Sequence, residues 1–140
     1  MADKEDLREA IFQRLKHSVQ LLALPPDLQL ELLPSFVCKA DELALEFDHW
    51  REVALDNYRK ELTVDQVSAI SGLDEKFDWL TANGKQRWTD EAVRTSMEWK
   101  NFRCLAAVVL SAFSWPPEIP PSYAHEYIST DNPVRKDKEN

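Results

Sequence analysis

The stretch from Thr89 to Trp115 constrains the chain most, above all its second half, Cys104-Leu105-Ala106-Ala107-Val108-Val109-Leu110-Ser111-Ala112-Phe113. This run is apolar on every side of a helix, not along one stripe, so it predicts an element surrounded by other elements. It is shorter than the roughly 20 apolar residues a membrane-crossing helix needs. Charged Arg94, Glu98, Lys100 and Arg103 precede it directly. The expectation is a central buried helix in a small soluble helical protein.

Helical periodicity fills in the rest. A first helix is predicted from about Asp3 to Ala23, with Leu7, Ile11, Leu15, Val19 and Leu22 as its buried stripe. Pro25-Pro26 ends it, because proline drives the preceding residue out of helical geometry. A short helical turn follows over Asp27 to Leu33. Pro34 then fits the first turn of a second long helix that reads to about Lys60. Its seam is Phe36, Ala40, Leu43, Phe47, Trp50 and Ala54, spaced for helices packed at a shallow angle. Thr63 and Gln66 have the spacing of a capping box opening a third helix. Ser71-Gly72 should bend that helix, and Asn83-Gly84 should stop it in the left-handed conformation. Thr89 caps a fourth helix, which ends before Pro116-Pro117. Only two glycines occur, which argues against a sheet with many tight turns.

The predicted whole is all-α: an antiparallel up-down four-helix bundle with an extended Pro-rich C-terminal tail packing over it. Residues 1–128 form one domain, in which Ile119, Tyr123, Tyr127 and Ile128 fold the tail back, and 129–140 are expected to be disordered. Cys38 and Cys104 sit among apolar neighbours and outside any zinc spacing, so both are expected as buried free thiols. No signal-peptide pattern opens the chain, and the expected setting is cytoplasmic.

Charge limits the partners. The formal net charge is −8, which disfavours nucleic acid and anionic membrane. Residues 25–62 hold nine Asp and Glu against four Lys and Arg, so the surplus lies in the middle of the chain. On the second helix, with Asp41 at zero, Asp48, Glu52 and Asp56 fall at about −20°, 20° and 60°. The seam centres near about 220°, almost opposite. Leu45 lies within the acidic stripe. An apolar side chain rimmed by carboxylates is a candidate contact for a basic protein partner. The same stripe also fits an ordinary solvated face with one exposed leucine. Trp79 and Trp88, off the main seams, are further candidate anchors, with satellite packing as the alternative.

Catalysis is not expected: the sequence holds no strained nucleophile turn and no Gly-rich phosphate loop. No cofactor is expected. Glu42, Glu46 and His49 give one Glu-x-x-His spacing, but a di-metal bundle site needs a second such pair and further inward carboxylates. The leading expectation is a non-catalytic interaction module, such as an inhibitor or immunity-type protein that masks a basic surface. The alternatives are a structural homo-oligomer, with the chain a monomer or homodimer, and a metal- or small-ligand-binding bundle that draws on Glu46, His49 and His17.

Overall fold

The computed structural model describes residues 4–120. Every regular element among them is helical: α1 (Lys4–Ala23), α2 (Pro26–Leu32), α3 (Lys39–Tyr58), α4 (Val64–Asn83), α5 (Asp90–Thr95) and α6 (Met97–Phe113). Short 3-10 turns at Arg59–Glu61 and Lys85–Arg87 join α3 to α4 and follow α4. The all-helical expectation is therefore met, with six α-helices in place of four.

α1 buries Ile11, Leu15, Val19 and Leu22 as its periodicity predicts, while Leu7 at its start is exposed. Its last carbonyls face a chemical problem. Pro25 and Pro26 have no N–H with which to satisfy the Leu21 and Leu22 oxygens. Leu24 N reaches Leu21 O at 3.3 Å, and the fully buried Gln29 of α2 supplies the rest, its Nε2 reaching Leu21 O at 3.1 Å and Leu22 O at 2.9 Å. Arg103 of α6 then donates to Gln29 Oε1 at 3.3 Å and to Val93 O at 3.0 Å. One amide thus ties α1, α2 and α6 together, and the same guanidinium reaches α5.

α3 begins at Lys39, not at Pro34. Residues 33–38 turn a corner, with Leu33 and Cys38 both extended. Lys39 Nζ donates to Leu30 O at 2.7 Å and so completes the end of α2. Phe36 consequently leaves the predicted seam and is 63 % exposed. The remainder of the seam holds: Ala40, Leu43, Phe47 and Ala54 are buried, with Trp50 packed against them.

α4 opens with both halves of the predicted capping box: Thr63 Oγ1 accepts from Gln66 N at 3.1 Å, and Thr63 N donates to Gln66 Oε1 at 2.9 Å. The helix runs through Ser71-Gly72 unbroken. Gly84 ends it, but at φ −139°, not in the left-handed region. A Cβ there would lie 2.5 Å from Leu80 Cδ1, so any larger residue would make that leucine methyl shift.

The predicted fourth helix is split at Ser96, which is extended (φ −80°, ψ 150°) and caps α6 by accepting from Trp99 N at 3.2 Å. The burial of α6 also departs from expectation. Trp99, Phe102, Ala106, Val109 and Leu110 form one buried stripe. Cys104, Ala107 and Ser111 are exposed, and Val108 is 52 % exposed. α6 packs against α1 on one flank and α4 on the other, which leaves nothing among the described elements to cover its outer side. Both cysteines are exposed free thiols, not buried ones.

α6 closes on left-handed Ser114 (φ 58°), with Trp115 N bonded to Leu110 O at 2.9 Å. Gln20 Nε2 donates to Pro116 O at 2.8 Å, and Pro120 is buried. The expected contacts of Tyr123, Tyr127 and Ile128, and the expected disorder of 129–140, lie outside the described residues. α1 also packs along α3, whereas α3 and α4 touch each other only sparsely. That sparse seam positions the site.

Candidate functional site

Where α3 and α4 fail to close on each other, a cleft of about 450 Å³ opens, within the ~300–1,000 Å³ typical of ligand-binding clefts. Its apolar lining is Ala44 and Phe47 from α3, Phe77 from α4 and Trp88 from the connection after α4. Leu45 stands at the rim, 60 % exposed. Asp41 and Asp48 wall one side and Asp74 and Asp78 the other. Asp41 and Asp48 lie two turns apart on α3, and Asp74 and Asp78 one turn apart on α4, so each pair shares a face of its helix.

An aromatic cluster fixes one end of the cleft. Phe77 packs its ring 4.1 Å from Phe102, 5.9 Å from Trp99 and 6.4 Å from Trp88, the last nearly parallel at 25°. Trp88 meets buried Trp99 edge-on at 5.8 Å. Trp99 Nε1 donates to Arg87 O at 2.8 Å. The connection carrying Lys85 and Trp88 is thereby fastened to α6, and Trp88 is held over the cleft.

Arg51 spans the other end. Its Nη2 donates to Asp48 Oδ1 at 2.7 Å, and its Nε lies 3.2 Å from Asp74 Oδ1. That Nε–H is not aimed at the oxygen and finds no hydrogen-bond acceptor among the described residues. Asp74 therefore gains attraction from Arg51 without a hydrogen bond. Burial pushes the Asp74 carboxyl above its ordinary range, against the pull of Arg51 and with the help of Asp78, Asp48 and Glu75. For Arg51, burial lowers the guanidinium, but the Asp48 hydrogen bond and the charges of Asp74, Asp48 and Glu52 raise it further. Burial is thus the first cause of the Asp74 shift, and the surrounding carboxylates, which add to it, are the same groups that hold the Arg51 guanidinium charged.

Of the residues singled out by sequence, Asp41, Leu45, Asp48 and Trp88 come together here. Glu52 and Asp56 lie farther along α3, exposed and outside the cleft. Trp79 is elsewhere: 54 % exposed, it lines a separate hollow of about 240 Å³ with Lys76, Glu98 and Asn101. Sequence reasoning missed Asp74, Asp78, Phe77 and Lys85. The one available signal was the i, i+4 spacing of the two aspartates beside Phe77 on α4.

The metal alternative gains no cluster: among the described residues, no three His, Cys, Asp or Glu are grouped to hold an ion. Glu42 and Glu46 are half-buried, while His49 is exposed and edge-on to Trp50 at 4.5 Å. His17 is buried on α1. Among the described residues no helix is long and apolar enough to cross a membrane. Comparison with protein-family models, with curated proteins and with solved structures finds no match to the chain.

Proposed function

We propose that the protein is a non-catalytic interaction module whose α3–α4 cleft receives a basic segment of another protein. The observation that carries this reading is an apolar cleft walled by carboxylates from two different helices. Apolar contact supplies affinity there, and the flanking charge selects a basic partner and speeds encounter. On this reading the four long helices form an up-down bundle that is open along one seam, and the Pro-rich segment after α6 lies over the bundle end. An inhibitor or immunity-type protein masking a basic enzyme surface is the concrete form. Two exposed free thiols suit a reducing, cytoplasmic setting.

The test is capture from an extract of the native cell, with the wild-type protein run beside Asp41→Lys with Asp78→Lys. Neither of those aspartates forms a salt bridge among the described residues, so reversing them leaves Arg51 in place. A protein retained by the wild type and lost by the variant is the expected result. Its association rate should fall roughly tenfold or more between low and high salt. Retention that is equal for both proteins and insensitive to salt refutes the reading.

The outer face of α6 favours one other reading. Met97, Cys104, Ala107 and Val108 leave an exposed, weakly polar strip that a second copy of the chain would cover. Sedimentation velocity over a wide concentration range decides this: a monomer throughout ends it.

A further inference from the structure

Resting on the docking reading, the geometry points to the chemistry of the partner's anchor: an arginine side chain, its guanidinium at the Asp41–Asp78 end of the cleft and its aliphatic stem against Leu45 and Trp88. The chain provides its own precedent at the opposite end. There a guanidinium, that of Arg51, already bridges an α3 carboxylate and an α4 carboxylate, Asp48 and Asp74. One helical turn along α4 and two along α3, the cleft is lined by two further aspartates, Asp78 and Asp41. Among the described residues neither of these forms a salt bridge.

Two features select guanidinium over ammonium. Two carboxylates on opposing walls match a planar fork of donors better than a single compact charge. Trp88, nearly parallel to Phe77, edge-on to Trp99 and lining the cleft, offers an aromatic wall of the kind on which a guanidinium stacks. The apolar lining accommodates the methylene stem of arginine and of lysine alike, so the choice between them rests on the head group. Lys85 is the cation that lines this end, and among the described residues it forms no salt bridge. One lysine against two aspartates leaves negative charge for the incoming arginine, and Lys85 weakens its binding without replacing it.

Three amphipathic helical peptides test this, identical in their leucine stripe and carrying Arg, Lys or neutral citrulline at the flanking positions. Binding is followed on the full-length, isotope-labelled protein through the Trp88 indole resonance and the Leu45 methyls. The Arg peptide is expected to shift both and to bind roughly fivefold or more tightly than the Lys peptide. The citrulline peptide is expected to shift neither. Asp78→Asn should reduce the Arg peptide to the affinity of the Lys peptide, and Lys85→Ala should strengthen it severalfold. Equal affinity for Arg and Lys overturns the arginine assignment while leaving the docking reading intact. Citrulline binding as tight as Arg overturns any role for charge. If none of the three moves Trp88 or Leu45, the docking reading falls with the assignment.

Discussion

Replacing Trp99 with phenylalanine tests whether the aromatic cluster truly holds the cleft's wall. Trp99 is fully buried and is flanked by Phe102 at 4.9 Å, Trp88 at 5.8 Å and Phe77 at 5.9 Å. Going from indole to phenyl removes about three ring atoms from that packing, a loss of about 1–2 kcal/mol including the cavity left behind. It also removes the donor to Arg87 O at 2.8 Å. Leaving a partly buried carbonyl unpaired costs about 1–2 kcal/mol more. The expected total is about 2–4 kcal/mol, or a Tm lower by about 10 °C for a chain of this size. Urea unfolding followed by circular dichroism measures it, with the slope unchanged. Amide exchange adds a local readout. The Arg87 and Trp88 amides, bonded to Gly84 O at 2.8 Å and Lys85 O at 3.2 Å, should lose protection by more than the global change in stability. A loss below about 1 kcal/mol, with those two amides unaffected, would refute the claim that Trp99 fastens the Lys85–Trp88 connection to α6.

The other predictions concern burial and charge. Val108→Glu should change stability by no more than about 0.5 kcal/mol, whereas Val109→Glu, one residue on but fully buried, should cost more than about 3 kcal/mol; thermal unfolding of the two variants side by side checks the face assigned to α6. Gln29→Leu removes the side-chain donor shared by Leu21 O and Leu22 O, leaving Leu21 O its bond from Leu24 N, and removes the acceptor for Arg103. It should cost about 3 kcal/mol or more by urea unfolding, and Gln29→Glu, which keeps the acceptor and loses the donors, should not restore it. Asp74→Asn should alter the pH dependence of stability. Burial raises the folded carboxyl above its unfolded value of 3.8, so the folded state holds the proton more tightly. That stabilisation is complete below 3.8 and is lost as pH rises through the raised folded value. Relative to Asp74→Asn, the wild type should therefore gain stability on acidification through this range, measured by parallel unfolding curves; a relative loss would show that Arg51 dominates the carboxyl.

Much of the helical content was legible because it rests on local chemistry. The Thr63–Gln66 box, the proline stop after α1 and the buried stripes of α1 and α4 each involve residues within a few positions of one another. The face of α6 was not legible, because Cys104, Ala107 and Ser111 are small enough to sit inside or outside at little cost. Composition gives such a run's apolarity, not the number of neighbours the fold provides. The break at Ser96 was hidden for a related reason: serine is tolerated within helices and becomes a cap only when the chain turns there.

The site failed in a more instructive way. A helical wheel fixes directions relative to a helix's own seam, and on that basis Asp41, Asp48, Glu52 and Asp56 are equivalent. The cleft is a property of two helices that touch only sparsely, and it ends where Arg51 crosses from α3 to Asp74. That crossing divides the stripe: Asp41 and Asp48 face Asp78 and Asp74 across apolar lining, while Glu52 and Asp56 lie beyond Arg51. Arginine within an acidic run reads in sequence as one more solvated charge. In the fold it marks where one helix reaches the other, so the residue that discounts the acidity of α3 on paper also sets the limits of the site.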